Sequence, residues 1–170
     1  MSLRVAFILC VSFAVAFAQS PPPAPAIPDD VAIERDVQYS NVGQRLAMDI
    51  LRPKAEPSEP RPAVVMIHGG GFRAGSRNSY LPAAIRLAQR GYLAATISYR
   101  LAPRHQFPAA VEDSKAAVRF LKANAKRYNI DIDHIGVMGG SAGGHLALMV
   151  GLAPDVAELE GSGPNLEFSS

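Results

Sequence analysis

The sequence predicts an α/β fold: a three-layer α/β/α sandwich around a mostly parallel sheet. Three observations carry this. Ala63 to Ile67, Leu93 to Tyr99 and Ile135 to Met138 are short apolar runs without polar alternation, as strands buried on both faces require. The stretches between them have helical apolar spacing. Strands that alternate with helices of this length imply βαβ units and parallel pairing.

Ahead of the first buried run, Val37 and Tyr39 alternate with polar neighbours, as do Leu46, Met48 and Ile50. With Asn41-Val42-Gly43 between them, the two runs predict an antiparallel hairpin. Lys54 to Pro62 holds three prolines and two glutamates and reads as a loop. Tyr80 to Arg90 is helical by the spacing of Leu81, Ile85 and Ala88, with Gly91 placed to cap its C-terminus. A long amphipathic helix is predicted from about Pro108 to Tyr128, with Val111, Val118, Leu121 and Ala125 on one side, and another from Ala142 to Leu152.

The N-terminus is of a different kind. Arg4 precedes an apolar run, Val5 to Ala16, and Ala16-Phe17-Ala18 offers small residues at the positions a signal peptidase reads. Residues 1–18 are therefore expected to be a secretory signal peptide cleaved after Ala18, too short to span a bilayer as a stable anchor. This places the mature chain outside the cytoplasm, secreted or periplasmic. Residues 19–30, rich in proline, read as an extended linker, and 31–170 as the folded domain. Cys10 is the one cysteine and leaves with the leader, so the mature chain has no disulfide, thiolate metal site or cysteine nucleophile. The formal net charge is +2, with no basic run or aromatic-interleaved patch, so nothing points to nucleic acid.

The chemistry lies in two glycine-rich turns. Gly139-Gly140-Ser141-Ala142-Gly143 follows a buried strand and opens a helix. A sharp turn there lifts a hydroxyl clear of the sheet, and Gly139 and Gly143 allow strand and helix to approach closely. The same turn sets Ser141 at a helix N-terminus, where free N–H groups favour developing negative charge. An anion-binding turn would show similar letters. The second turn, His68-Gly69-Gly70-Gly71-Phe72, directly follows the first buried strand. Three consecutive glycines cost conformational entropy, and an oxyanion hole gives them a reason: amides must face a substrate oxygen with no side chain between.

These two motifs, with Tyr99-Arg-Leu-Ala-Pro103 and Phe107-Pro-Ala-Ala-Val-Glu-Asp113, resemble the α/β-hydrolase esterases related to hormone-sensitive lipase. Entry straight into strands, with no helical cap first, is more similar to the secreted bacterial branch that includes ferulic-acid and acetyl-xylan esterases. The resemblance implies that Ser141 attacks the ester carbonyl, that Gly70, Gly71 and Ala142 supply the oxyanion amides, and that His68 holds the glycine loop. It implies a small or polysaccharide-linked acyl ester as substrate, with no metal and no cofactor.

A serine of ordinary pKa needs a base, and in this fold an Asp or Glu and then a His follow the serine. Twenty-nine residues follow Ser141, and His145 is the one histidine among them. It shares the nucleophile's helix, so it is expected to point along that helix and not across a cleft. His105 follows Leu101-Ala-Pro and reads as a surface loop residue, with a place at the border of the pocket as the alternative. His134, with Asp131 and Asp133, reads as an exposed polar turn before the nucleophile strand. Asp113 comes too early to be the triad acid. The triad Asp and His are thus expected beyond Ser170, the sheet to be incomplete after the nucleophile strand and helix, and the chain as it stands to be a truncated, inactive piece of a carboxylesterase. A peptidase of the same fold and a non-catalytic binding module are the alternatives.

Overall fold

The computed structural model describes residues 25–170 apart from position 155. The signal-peptide reading and residues 19–24 of the linker lie outside the described residues. The folded unit begins earlier than Val31: Ile27 packs against the core, and the Asp30 carbonyl accepts the Lys54 amide at 2.9 Å.

Five strands form one sheet: β1 (Val31–Ser40), β2 (Leu46–Pro53), β3 (Arg61–Ile67), β4 (Leu93–Ile97) and β5 (Ile130–Gly139). Their order across the sheet is β1-β2-β4-β3-β5. The predicted hairpin is present, with Ser40 opposite Leu46. β2 also runs antiparallel to β4, whereas β4, β3 and β5 are mutually parallel. Parallel pairing thus belongs to the half of the sheet that carries both glycine turns.

The helices are α1 (Leu81–Ala88), α2 (Ala109–Ala123), α3 (Ala125–Tyr128) and α4 (Ala142–Leu152). Core residues fall into two clusters. One joins Leu81, Ala84, Ile85 and Ala88 of α1 to Met66 and Ala94. The other joins Val111, Ala117, Leu121, Leu146 and Val150 of α2 and α4 to Val65, Ile67 and Ile97. Alternate residues of β3 feed opposite clusters, so the middle of the sheet is buried on both faces and the three layers follow. No described helix is long and apolar enough to cross a membrane.

Four local expectations are corrected. The long helix breaks at Asn124, and Asn129, at φ +51°, ends its second piece in the left-handed conformation that asparagine tolerates. β4 ends at Ile97 and not at Tyr99, with one further bond in the β2 register, from the Ser98 amide to the Ala47 carbonyl at 3.0 Å. β5 starts at Ile130, so Asp131, Asp133 and His134 lie on the strand and not in a turn before it. Nor is β5 buried on both faces: Ile132 and Met138 are exposed, as are Leu148 and Leu152 on α4. Among the described residues β5 pairs only with β3, and its outer side has no neighbour.

The segment after α4 is more than a loop. Leu159 is buried, and Glu160 accepts from both Lys115 and Arg119 of α2.

Candidate active site

Parallel β3 and β5 end side by side, with Ile67 level with Gly139. The chain after each strand is therefore delivered to the same end of the sheet. After β5 it turns within two residues into α4. Ser141 sits at the bend with φ +54° and ψ −123°, a conformation that L residues rarely adopt. It persists because the surroundings leave no alternative. A Cβ on Gly139 would stand 2.4 Å from the Gly143 carbonyl group, and one on Gly143 would stand 2.0 Å from the Ile67 oxygen. Close backbone approach thus leaves no room for a side chain at either glycine. The bend leaves Ser141 exposed, whereas Ala142 and Gly143 are buried.

The loop after β3 meets this bend directly. A Cβ on Gly69 would lie 2.7 Å from the Gly140 oxygen and 3.3 Å from Ser141 Cβ. Gly70 has φ +128° and Gly71 φ +59°, and the Gly70 carbonyl accepts the amides of Arg73 and Ala74, each at 3.0 Å. That turn consumes the Gly70 carbonyl. Among the described residues the Gly70, Gly71 and Ala142 amides donate to no turn or loop carbonyl. A Cβ on Gly70 would sit 2.0 Å from the Ala74 oxygen, while one on Gly71 would meet nothing within 4 Å.

His68 anchors the loop. It is buried, its ring stacks on Tyr99 at 4.3 Å between centroids, and its Nδ1 lies 2.8 Å from the Gly69 carbonyl. Burial pushes its pKa below the ordinary histidine value, and the bond to Gly69 opposes this only in part. The ring is therefore neutral, and Nδ1 must carry the proton to donate. Tyr99 returns a second bond, from its hydroxyl to the His68 carbonyl at 2.9 Å. Sequence reading did not identify this Tyr99 role. Its trace in the sequence is a tyrosine two residues beyond β4, at the head of the Tyr99-Arg-Leu-Ala-Pro103 motif.

The other candidates are placed as follows. His145 lies one turn beyond Ser141, with its amide on the Ser141 carbonyl at 3.1 Å and its ring edge-on to Phe72 at 5.8 Å. Among the described residues no histidine ring is hydrogen-bonded to the Ser141 hydroxyl. Asp113 is buried and binds Arg100 through the guanidinium at 2.9 Å and the backbone amide at 2.7 Å. Its hydrogen bonds go to Arg100, and among the described residues none goes to Ser141. His134 Nδ1 lies 2.7 Å from Asp131, an exposed pair whose hydrogen bond draws the Asp131 pKa down. Beside the bend, Phe72, His105, Phe107, Val111, His145 and Leu146 enclose a mostly apolar cavity of about 340 Å³. His105, expected as a surface loop residue, lies in this lining.

A strained serine elbow set against a glycine loop, both at the C-terminal ends of parallel strands, defines an α/β-hydrolase. The fold is that of solved esterases. A bacterial heroin esterase superposes with a TM-score of 0.67 at 35% identity, over 75% of this chain and 41% of the other. A propionate-bound esterase from Thermogutta terrifontis gives 0.71 at 31%, over 85% and 52%. The chain belongs to the BD-FAE family, whose model matches residues 48–170. Esterase LipC of Mycobacterium tuberculosis is 37% identical over 119 residues, 69% of this chain and 29% of that protein. The ethyl acetate hydrolase of Pseudomonas putida is 36% identical over 110 residues, 64% and 35%. The chain thus spans about a third of the length of the curated relatives it matches.

Proposed function

We propose that this chain is the nucleophile-bearing part of a secreted carboxylic ester hydrolase. Ser141 Oγ attacks the carbonyl carbon of an acyl ester, small or polysaccharide-linked. Its proton passes to a base, the alcohol departs with a proton, and water then frees the acid from the acyl-serine. The amides of Gly70, Gly71 and Ala142 receive the oxyanion in the tetrahedral intermediates. His68 and Tyr99 hold the loop that presents the first two. The observation that carries this reading is the contact of Gly69 with Ser141 at the strained, exposed elbow.

The triad acid and base are not supplied by His145, His105 or Asp113, so the chain alone turns over little or no ester. Loss of triad function costs serine hydrolases about a million-fold in kcat, while an intact oxyanion hole alone still leaves about 10³–10⁴ over water. Added imidazole is a substitute base. The full chain treated with an ethyl fluorophosphonate should form an adduct at Ser141, found by mass spectrometry, at a rate that climbs with imidazole. Gly71→Ala, which meets no atom but must hold φ +59°, should label more slowly than the unaltered chain yet lose less than Gly70→Ala. Gly70→Ala, which collides with the Ala74 carbonyl, should lose about 100-fold or more. No adduct at Ser141 at any imidazole concentration, or equal labelling of Gly70→Ala and the unaltered chain, overturns the proposal.

A further inference from the structure

At the sheet edge opposite the serine elbow, β1, the C-terminal half of α2 and the segment after α4 border a second cleft of about 370 Å³. β1 and β5 are the two ends of the strand order, so roughly 19 Å of sheet separates this cleft from the strand that carries Ser141. Its lining is unlike the rest of the surface. Gln38, Asn41, Asn124 and Asn165 line it, four of the ten carboxamide residues in the whole sequence. The Phe120 and Pro164 rings stand among them, and no charged residue does.

The amides are largely unspent. Among the described residues the side chains of Gln38, Asn41 and Asn165 make no intramolecular hydrogen bond. Asn124 Nδ2 donates to the Phe120 carbonyl at 2.9 Å, which leaves its Oδ1 free to accept. Each carboxamide offers two donors and an acceptor side by side, a pattern that matches vicinal hydroxyls. A half-buried phenyl ring and a proline ring offer flat apolar faces to the C–H side of a sugar ring. Without a fixed charge the cleft has no particular hold on phosphate, carboxylate or ammonium groups.

We infer that this cleft is a binding site for a neutral saccharide, separate from the hydrolytic centre. The inference does not rest on the hydrolase reading, because it uses none of the residues near Ser141. The probe is cellohexaose, added to the 15N-labelled full chain, with side-chain NH2 resonances as the readout. The expected result is saturable movement of the Gln38, Asn41 and Asn165 signals, undiminished in Ser141→Ala. Gln38→Ala/Asn41→Ala, both at exposed positions, should weaken binding about tenfold through the loss of two hydrogen-bonding groups. Glucose tests whether one ring suffices: weaker movement of the same signals supports a site for a chain of sugars. An acidic oligogalacturonate should bind no better than cellohexaose. The inference fails if millimolar cellohexaose moves none of these signals, if the double variant binds as well as the parent, or if Ser141→Ala abolishes the shifts.

Discussion

The α-carbon of Gly143 lies so close to the Ile67 carbonyl that a methyl group there would stand 2.0 Å from the oxygen. The contact fixes the height of α4 over β3, and with it the position of Ser141. It makes Gly143→Ala a sharp test. An unyielding backbone neighbour should make overpacking cost at least about 1–3 kcal/mol. Gly151, in the same helix, has nothing within 4 Å of its would-be Cβ, so Gly151→Ala should gain about 0.5–1 kcal/mol from helix propensity. Urea denaturation of the two variants should give opposite signs. Equal effects would mean that the elbow tolerates a side chain and that its geometry is not set by this contact.

Much of this site was legible because it is written in backbone sterics. The patterns around Ser141 and Gly69 to Gly71 specify where side chains must be absent, and local sequence carries that directly. What was not legible depends on distant partners. Nothing near Asp131 shows that β5 begins at Ile130, because pairing of Arg61 with Ile130, across a register shift, sets that boundary. Tyr99 as the stacking partner of His68, and Glu160 as the partner of two helix cations, join residues far apart in the chain. Spacing rules carry no signal for such pairs.

The buried His68 ring gives a pH dependence with a definite sign. Its folded pKa lies below the ordinary value of 6.5, chiefly through burial. Below pH 6.5 the unfolded chain takes up a proton that the folded ring resists, so stability falls as pH drops through that window. Above 6.5 the ring is neutral in both states and contributes no slope. Urea unfolding at steps from pH 8 to pH 5 should show this loss, and His68→Gln should have a shallower slope below 6.5. Identical slopes in the two proteins would show that the ring accepts a proton where it stands, with the Gly69 bond unable to hold the neutral form.

Lys115 and Arg119 lie one turn apart on α2, and both side chains are fully buried. Desolvation lowers the Arg119 pKa, and Glu160 works against that shift. The Lys115 ammonium also donates to the Ala153 carbonyl at 2.6 Å and to the Ser170 hydroxyl at 2.9 Å. Glu160 is the carboxylate that both cations share, and it is itself mostly shielded. Removing one partner of a buried ion pair leaves an uncompensated charge and costs about 3–5 kcal/mol, more than the pair is worth when intact. Glu160→Gln should therefore destabilise the whole domain, not merely loosen residues 157–170. Lys115→Met in the Glu160→Gln background should recover part of the loss, because it removes the charge left without a counter-ion. Chemical denaturation of the three variants measures both steps. A cost below about 1 kcal/mol for Glu160→Gln would place the pair among weak surface bridges and detach the last residues from the stability of α2.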